Sequence, residues 1–221
     1  MKGKHWIINY ITTKELKNIV PRYIHGRLID IGCGEKPLEP YFKQYVTEHI
    51  GVDHAETMHD KNNIDIFATA YEIPVEDASF DCALCTAVLE HLEEPSQAIA
   101  ECHRVLKKGG VALYTVPFVW NLHEEPRDFY RYTKYGLTYL FEKNGFKIIE
   151  LIALSGFWIT FAQAVTQYLW TLRRKKKLKI FKPFFIIIPA FVVSFQALAY
   201  LLDKLDKREE WTWAYVVVVK K

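Results

Sequence analysis

The sequence predicts an α/β protein built on a doubly wound, mostly parallel β-sheet. The stretch from Arg27 to Asp53 contains a short apolar strand, a glycine turn, a helix and a second strand that ends in an acidic residue. Farther along, Phe80 to Thr86 and Val111 to Val116 are nearly continuous apolar runs, as expected for parallel strands that are buried on both faces. Helical patterns separate these strands, and this alternation is typical of a parallel sheet covered by helices on both faces.

Length and composition favour one folded domain with a sizeable core and an appendage. The chain has 221 residues, of which 50% are apolar and 15% aromatic. Its net charge of +3 is too small to indicate a nucleic acid partner. The four cysteines have neither the pairing of a zinc site nor the density of a secreted disulfide scaffold, so we expect a reducing cytosol. We expect no targeting segment, because the N-terminus lacks the apolar core of a signal peptide.

No metal ion is predicted from the cysteine spacing. Cys82 and Cys85 have the C-x-x-C spacing of redox and metal motifs, but both fall on a predicted strand. Residues three apart on a strand point to opposite faces, so one ligand cannot use both thiols.

The glycine turn has the parts needed to hold a nucleoside. Asp30 lies at the end of the first strand, and Gly32 and Gly34 let the chain turn sharply with no side chain in the way of a ligand. Asp53 follows about 20 residues after the turn, where a carboxylate accepts hydrogen bonds from both hydroxyls of a ribose.

Pro37 argues against a dinucleotide site. It occupies the position of the third glycine in the G-x-G-x-x-G motif of nicotinamide enzymes. Its ring removes a backbone donor and fills the space that a diphosphate needs at the helix N-terminus. A dinucleotide oxidoreductase is therefore disfavoured.

Caps, turns and periodicity predict the remaining elements. A capping box at Thr12-x-x-Glu15 opens the first helix, which Pro21 ends, while Ser96 and Thr133 cap two later helices. Helices are expected over 12–20, 38–46, 96–108 and 133–143, and strands over 28–31, 49–52, 64–66, 80–86, 111–116, 146–153 and 212–219.

The order of these motifs resembles the class I S-adenosylmethionine-dependent methyltransferases, specifically the type 11 group. The resemblance spans about Arg27 to Pro117 and rests on five features: the Asp30-x-Gly32-Cys33-Gly34 turn, the second-strand acid Asp53, the Thr69 to Asp81 segment, Val88-Leu89-Glu90-His91-Leu92, and Leu106 to Gly110. It implies a Rossmann-like sheet of seven strands with an antiparallel last strand beside strand six. It also implies S-adenosyl-L-methionine as the cofactor.

The resemblance places the cofactor at the carboxyl ends of the strands. The cofactor-binding residues that it implies are Asp30, Gly32, Gly34, Asp53, Thr69, Ala70, Cys85 and Thr86. Thr69 stands where the family has an acid, so a hydroxyl or a backbone group would replace the carboxylate contact to the adenine. An N-terminal helix often covers the cofactor in this family, so His5, Trp6 and Tyr10 either line the site or pack on the sheet edge.

The segment from Asn121 to Thr133, NLHEEPRDFYRYT, is dense in groups that bind protons and anions. It resembles a stretch of type 11 enzymes associated with cell-surface glycan or lipid pathways, and we expect it to face the substrate. His123, which titrates closest to neutrality, is the first candidate for a general base. Asp128 and His91 follow, although His91 serves equally well as a structural hydrogen bonder. Tyr130 and Arg131 are expected to bind substrate, the arginine by holding an anionic group bidentately.

Two uncharged stretches before the last strand raise the question of a membrane. Ser155 to Leu172 and Phe184 to Leu202 have about the length that spans a bilayer, with seven basic residues between Arg173 and Lys182. The chain must return to its sheet, so only a two-span hairpin is allowed, and that would place the basic residues on the far side against the positive-inside tendency. Pro189 would also interrupt the second helix. The alternatives are a helix pair on the membrane surface, a dimer contact, a lid, or packing on the domain.

Together these features predict one methyltransferase domain over 1–221. It consists of an N-terminal helical cap (1–26), a cofactor-binding core (27–154), a hydrophobic helical insertion (155–210) and the final strand (211–221). The expected function is methyl transfer to a small-molecule, glycan or lipid-linked acceptor, in the cytoplasm or at the inner face of the membrane through 156–202. A homodimer stays open. The alternative is a non-catalytic cofactor-binding or membrane-surface scaffold, which would keep Gly32, Gly34 and Asp53 but tolerate loss of His123 and Asp128.

Overall fold

The computed structural model describes residues 5–57, 60–174, 182–206 and 208–221. Its helices are α1 (Trp6–Tyr23), α2 (Glu39–Phe42), α3 (Pro95–Val105), α4 (Lys134–Lys143), α5 (Phe157–Arg174) and α6 (Lys182–Leu205). Its strands are β1 (Gly26–Ile31), β2 (Val46–Asp53), β3 (Ile66–Phe67), β4 (Phe80–Thr86), β5 (Leu106–Pro117), β6 (Lys147–Ala153) and β7 (Ala214–Lys220). Short 3₁₀ turns lie at Lys61–Asn63 and Leu89–His91.

The predicted fold class is confirmed: the strands form one seven-stranded sheet in the order β3-β2-β1-β4-β5-β7-β6. The pairs β1–β2, β1–β4, β2–β3 and β4–β5 are all parallel. The order of the strands reverses between β1 and β4, which makes the sheet doubly wound. Beyond β5, the N–H of Gly109 donates to the carbonyl of Lys221, and the N–H of Lys221 donates to the carbonyl of Gly110. This pattern is expected where β7 runs antiparallel to β5.

The chain divides into two compact units. One comprises 16–118, 122–152 and 215–221 and contains almost all of the sheet. In its core, the central strands contribute fully buried side chains such as Leu28, Phe80, Ala83 and Val217. Strands that are buried on both faces account for the continuous apolar runs in the sequence.

The second unit comprises 1–15, 119–121 and 153–214 and is mainly helical. Ile7, Ile8 and Ile159 belong to its apolar cluster, which also contains several tryptophans. Asp203 of α6 accepts hydrogen bonds from the backbone N–H groups of Gly156 (2.7 Å) and Trp158 (2.9 Å) at the start of α5. A carboxylate at this position satisfies donors that a helix N-terminus otherwise leaves without partners.

Two helix starts differ from the prediction. Helix α1 begins at Trp6, so Thr12 lies inside it and is not a cap, because Ile7 and Ile8 are buried and extend the helix toward the N-terminus. Pro21 lies inside its last turn instead of ending it. Helix α3 begins with Pro95 after Glu94, a favourable place for proline, and the hydroxyl of Ser96 hydrogen-bonds Asn144.

Two helix ends and the interior of one helix also differ from the prediction. Helix α2 stops at Phe42, because β2 already starts at Val46. Helix α3 stops at Val105, and the predicted end at Lys107 to Gly110 belongs to β5 instead, where Lys107 forms an ion pair with Asp81 at 2.7 Å. Helix α6 continues through Pro189, which does not interrupt it. The predicted bounds of β4 and the Thr133 cap of α4 are confirmed.

Within the described part of the chain, no helix is both long and apolar enough to cross a bilayer. Most of the basic segment between Arg173 and Lys182, namely 175–181, lies outside the described residues.

Candidate active site

The residues predicted to bind the cofactor lie at the carboxyl ends of four adjacent strands. Asp53 is the last residue of β2 and Thr86 the last of β4, while the Gly32 turn directly follows β1. Thr69 and Ala70 come just after β3, and the N–H of Ala68 donates to the carbonyl of Asp53 at 3.1 Å. The structure thus places this set along one edge of the sheet, at the point where the strand order reverses.

The glycine turn is held by contacts that only glycine permits. Gly32 has a φ of +71° and Gly34 a φ of +49°, both in the left-handed region. A Cβ on Gly32 would lie 2.3 Å from Cγ2 of Val88, so the turns after β1 and β4 approach each other too closely for any side chain here. The N–H of Gly34 donates to Oδ2 of Asp53 at 2.9 Å and ties the turn to the second strand.

The Asp53 carboxylate is fixed in an orientation suited to a pair of hydroxyls. It is only 7% exposed, and its Oδ1 accepts from the N–H of His54 at 2.8 Å while Oδ2 accepts from Gly34. Each carboxylate oxygen can accept more than one hydrogen bond, so both keep capacity for a ligand. Asp30 is also buried, and its Oδ2 lies 3.2 Å from Nε2 of His49.

Cys85 contributes its thiol to the core rather than to this edge. Its side chain is 3% exposed, and burial raises the pKa of the thiol well above its ordinary value. The thiol therefore stays protonated, and a contact with the cofactor through Cys85 remains a prediction.

The segment from Leu122 to Thr133 lies on the turn that follows β4. The N–H groups of Phe129 and Tyr130 donate to the carbonyl of Glu90 at 2.9 and 3.2 Å. The hydroxyl of Tyr130 donates to the carbonyl of Glu93, and that of Tyr132 to the carbonyl of Leu89. These bonds bring His123 beside His91, with ring centroids 4.7 Å apart.

Asp128 and Arg131 are committed to each other. The guanidinium donates to both oxygens of the carboxylate at 2.6 and 2.7 Å, and the N–H of His123 donates to Oδ2 at 2.9 Å. Arg131, above all, holds the pKa of Asp128 well below its usual range. This pairing keeps Asp128 ionised and engages the Arg131 guanidinium, while a catalytic role for Asp128 and a substrate-binding role for Arg131 stay predictions.

The two histidines point their Nε2 atoms at the same place. Nδ1 of His123 lies 3.3 Å from Oδ2 of Asp128, which favours a proton on Nδ1, and 3.4 Å from the Arg131 guanidinium, which only donates and favours a lone pair there. Nδ1 of His91 contacts the carbonyl of Arg127, which only accepts. Burial and the neighbouring His91 lower the pKa of His123, so its ring is neutral at pH 7. Nε2 of His91 is then left with a lone pair, and Nε2 of His123 has one when its Nδ1 carries the proton.

Glu90 is the site residue to which the sequence analysis gave no role. Its side chain is fully buried, and neither carboxylate oxygen has a hydrogen-bond partner among the described residues. Burial raises its pKa to about 8. Nε2 of His91 and of His123 lie 3.8 and 3.9 Å from its Oε1. One ligand atom from each of the three residues lies within 4.8 Å of the others, close enough to hold a metal ion. The sequence signal that could have identified Glu90 is an acidic residue directly after an apolar one, Leu89, which is buried in the structure.

The fold is a Rossmann-like α/β sheet, and the glycine turn, Asp53 and the cluster of Glu90, His91 and His123 follow the carboxyl ends of its strands. Residues 29–114 match the family described as the methyltransferase domain. Over these residues the chain matches the methyltransferase family that its motif order resembles, and relatives of this kind are S-adenosylmethionine-dependent.

Individual relatives agree with this family. A "Probable S-adenosylmethionine-dependent methyltransferase" of Mycolicibacterium smegmatis is 33% identical over 96 residues, covering 41% of this chain. The match spans only 37% of that relative's length. A "Ubiquinone biosynthesis O-methyltransferase" of Coxiella burnetii is 29% identical over 184 residues. The match covers 70% of this chain and 76% of the length of that relative. The crystal structure of an S-adenosylmethionine-dependent methyltransferase from Archaeoglobus fulgidus superposes with a TM-score of 0.59 at 16% identity, over 96% of this chain and 94% of that chain, which supports the fold.

Proposed function

We propose that the protein transfers a methyl group from S-adenosylmethionine to a small-molecule, glycan or lipid-linked acceptor. The observation that carries the proposal is the meeting of two sets of residues at one sheet edge: the glycine turn with Asp53, and the cluster around His123. The cofactor fits the first set, because the Asp53 oxygens keep capacity for two ribose hydroxyls. When bound, it supplies an electrophilic methyl group on a sulfonium.

The residues of the chain then have to position and activate the acceptor. In the absence of a bound cation, the Nε2 lone pair of His123 accepts a hydrogen bond from an acceptor hydroxyl or amine. Asp128 is a positioning residue, since it holds the backbone N–H and the ring of His123. His91, beside His123, completes the predicted catalytic set. Positioning of this kind accounts for much of the rate enhancement of group transfer.

An oxygen acceptor with an apolar portion is the favoured class. The Coxiella burnetii relative is named for O-methylation in ubiquinone biosynthesis, and it aligns with 70% of this chain. Large apolar side chains also stay exposed on α5 and α6, at spacings that place them on one face of each helix: Phe161 and Tyr168, then Phe191, Leu198 and Leu205. We propose that this apolar face binds the membrane surface peripherally, on the cytoplasmic side, where a lipid-linked acceptor is accessible.

The test is transfer of labelled methyl groups from S-adenosylmethionine to a lipid extract and, separately, to a soluble metabolite extract. Wild type is expected to label one fraction, and His123→Ala to lower the rate by about 10² to 10⁴ while binding the cofactor normally. His103→Asn is the matched control, because His103 packs against Phe146 away from the proposed site. Cofactor binding without methyl transfer to either fraction would contradict the proposed enzyme and favour a non-catalytic scaffold that binds the cofactor.

A further inference from the structure

We propose that Glu90, His91 and His123 form a binding site for one divalent transition metal ion of the zinc class. Each residue directs a ligand atom into a common space beside the turn after β4, and these atoms lie within 4.8 Å of one another. Two imidazoles and one carboxylate, with further positions open, form a donor set typical of catalytic zinc and related metals.

The contacts of His91 fix the tautomer that a metal needs, and Asp128 beside His123 favours the same tautomer there. The carbonyl of Arg127 accepts from Nδ1 of His91, and the Asp128 carboxylate faces Nδ1 of His123. A carbonyl or carboxylate behind the ring leaves the Nε2 lone pair for a metal and increases its basicity. Nε2 of His91 is buried and has no hydrogen-bond partner among the residues that the structure describes. Orientation of both rings is therefore provided by the protein itself.

Glu90 supplies a buried carboxyl group that a bound cation would hold in its ionised form. Its carboxyl group is fully buried with no donor on either oxygen among the described residues, and the nearest imidazole nitrogens are too distant, at 3.8 and 3.9 Å, to donate a hydrogen bond. An ionised carboxylate in such a place is costly unless a cation compensates it.

The spacing is close to that of a metal site. Bonds of about 2.0 to 2.2 Å in a tetrahedral site place ligand atoms roughly 3.3 Å apart. The Nε2-to-Oε1 separations of 3.8 and 3.9 Å would have to contract by about half an ångström each, and the two Nε2 atoms, which lie within 4.8 Å of each other, would have to approach as well.

A fourth position stays accessible on the solvent side. Oε2 of Glu124 lies 3.8 Å from Nε2 of His91, and its side chain is 44% exposed, so this carboxylate or the acceptor oxygen can complete the coordination. A metal-bound hydroxyl loses its proton to solvent more readily, because the ion stabilises the oxygen anion. In the metal-bound protein His123 is a ligand rather than a base. This role of the metal rests on the proposed function, whereas metal binding itself does not.

Metal binding is measured on the full chain after chelator treatment, by equilibrium dialysis with Zn²⁺, Mn²⁺ or Mg²⁺ followed by elemental analysis. Wild type and the control His103→Asn are expected to bind one Zn²⁺ per chain, and Mg²⁺ to bind weakly because it prefers oxygen ligands. Glu90→Gln and His91→Ala are expected to lower the Zn²⁺ affinity at least a hundredfold. Asp128→Asn, which acts through His123, is expected to lower it about 10- to 100-fold.

The absence of stoichiometric binding of any of the three metals to folded wild type would overturn the proposal. So would a Zn²⁺ affinity that Glu90→Gln and His91→Ala leave unchanged, since the ion would then bind elsewhere. Circular dichroism and S-adenosylmethionine titration of the same samples verify that each variant is folded. Zinc bound at this site by a protein that does not bind the cofactor would refute the proposed function and leave the metal site standing.

Discussion

Replacing Gly32 with alanine tests the close contact between the turns after β1 and β4. The new methyl group would lie 2.3 Å from Cγ2 of Val88, and the residue would have to keep a φ of +71°. An L-residue in the left-handed region costs about 1 to 2 kcal/mol, and overpacking costs about 1 to 3 kcal/mol. We therefore expect Gly32→Ala to lower the free energy of unfolding by about 2 to 5 kcal/mol.

The clash and the backbone strain separate in a double-mutant cycle measured by urea denaturation. Val88→Ala removes the methyl groups that collide, so Gly32→Ala in that background should cost only the backbone part, about 1 to 2 kcal/mol. Gly136→Ala is the matched control: it lies in α4, has ordinary backbone angles, and its Cβ would meet only Oγ1 of Thr133 at 3.4 Å. It should stabilise slightly, because alanine favours helix. Equal costs of Gly32→Ala with and without Val88 would refute the packing argument.

Three further predictions concern charge and surface. Asp128→Asn should lower kcat at least tenfold in the methyl-transfer assay, with unchanged cofactor affinity by calorimetry; an equal loss of cofactor affinity would argue against a positioning role. Lys107 and the backbone N–H of Arg27 lower the pKa of Asp81 in the folded protein. The ionised Asp81 therefore stabilises the fold by at most ~1 kcal/mol above about pH 4, and this contribution is lost as the pH falls further. Urea midpoints of wild type and Asp81→Asn should therefore converge toward pH 3, and divergence there would contradict the assignment. Phe191→Ser with Leu198→Ser should weaken sedimentation with anionic liposomes, whereas Tyr135→Ser on α4 should not; equal partitioning would exclude the membrane face.

The parts of the fold that sequence patterns predicted correctly are those with local causes. The turn at Gly32 needs a left-handed backbone, and β4 needs an apolar run, so both requirements are visible in a few residues. The predicted start of α1 was wrong because the helix is extended by the burial of Ile7 and Ile8, which the capping box at Thr12 does not reveal.

The acceptor side was predicted only in part, because it depends on contacts between distant segments. His91 and His123 were identified as single residues, but their convergence on Glu90 requires the segment after β5 to fold onto the turn after β4. The ion pair of Asp128 with Arg131 joins residues only three apart, but the sequence analysis considered each of them alone. Residue type thus indicated His91 and His123, whereas Glu90 became apparent only when the structure brought the three side chains together.

Calorimetric titration with S-adenosylmethionine and, separately, with NAD tests the central claim most directly. Wild type should bind S-adenosylmethionine and not NAD. Asp53→Ala should weaken that binding about tenfold or more, since a hydrogen bond to a charged group contributes ~1.5 to 3 kcal/mol. Asp206→Ala, which removes a partly exposed carboxylate paired with Arg208, should leave it unchanged. Binding of NAD, or no binding of S-adenosylmethionine by the folded protein, would contradict the assignment of this sheet edge as the cofactor site.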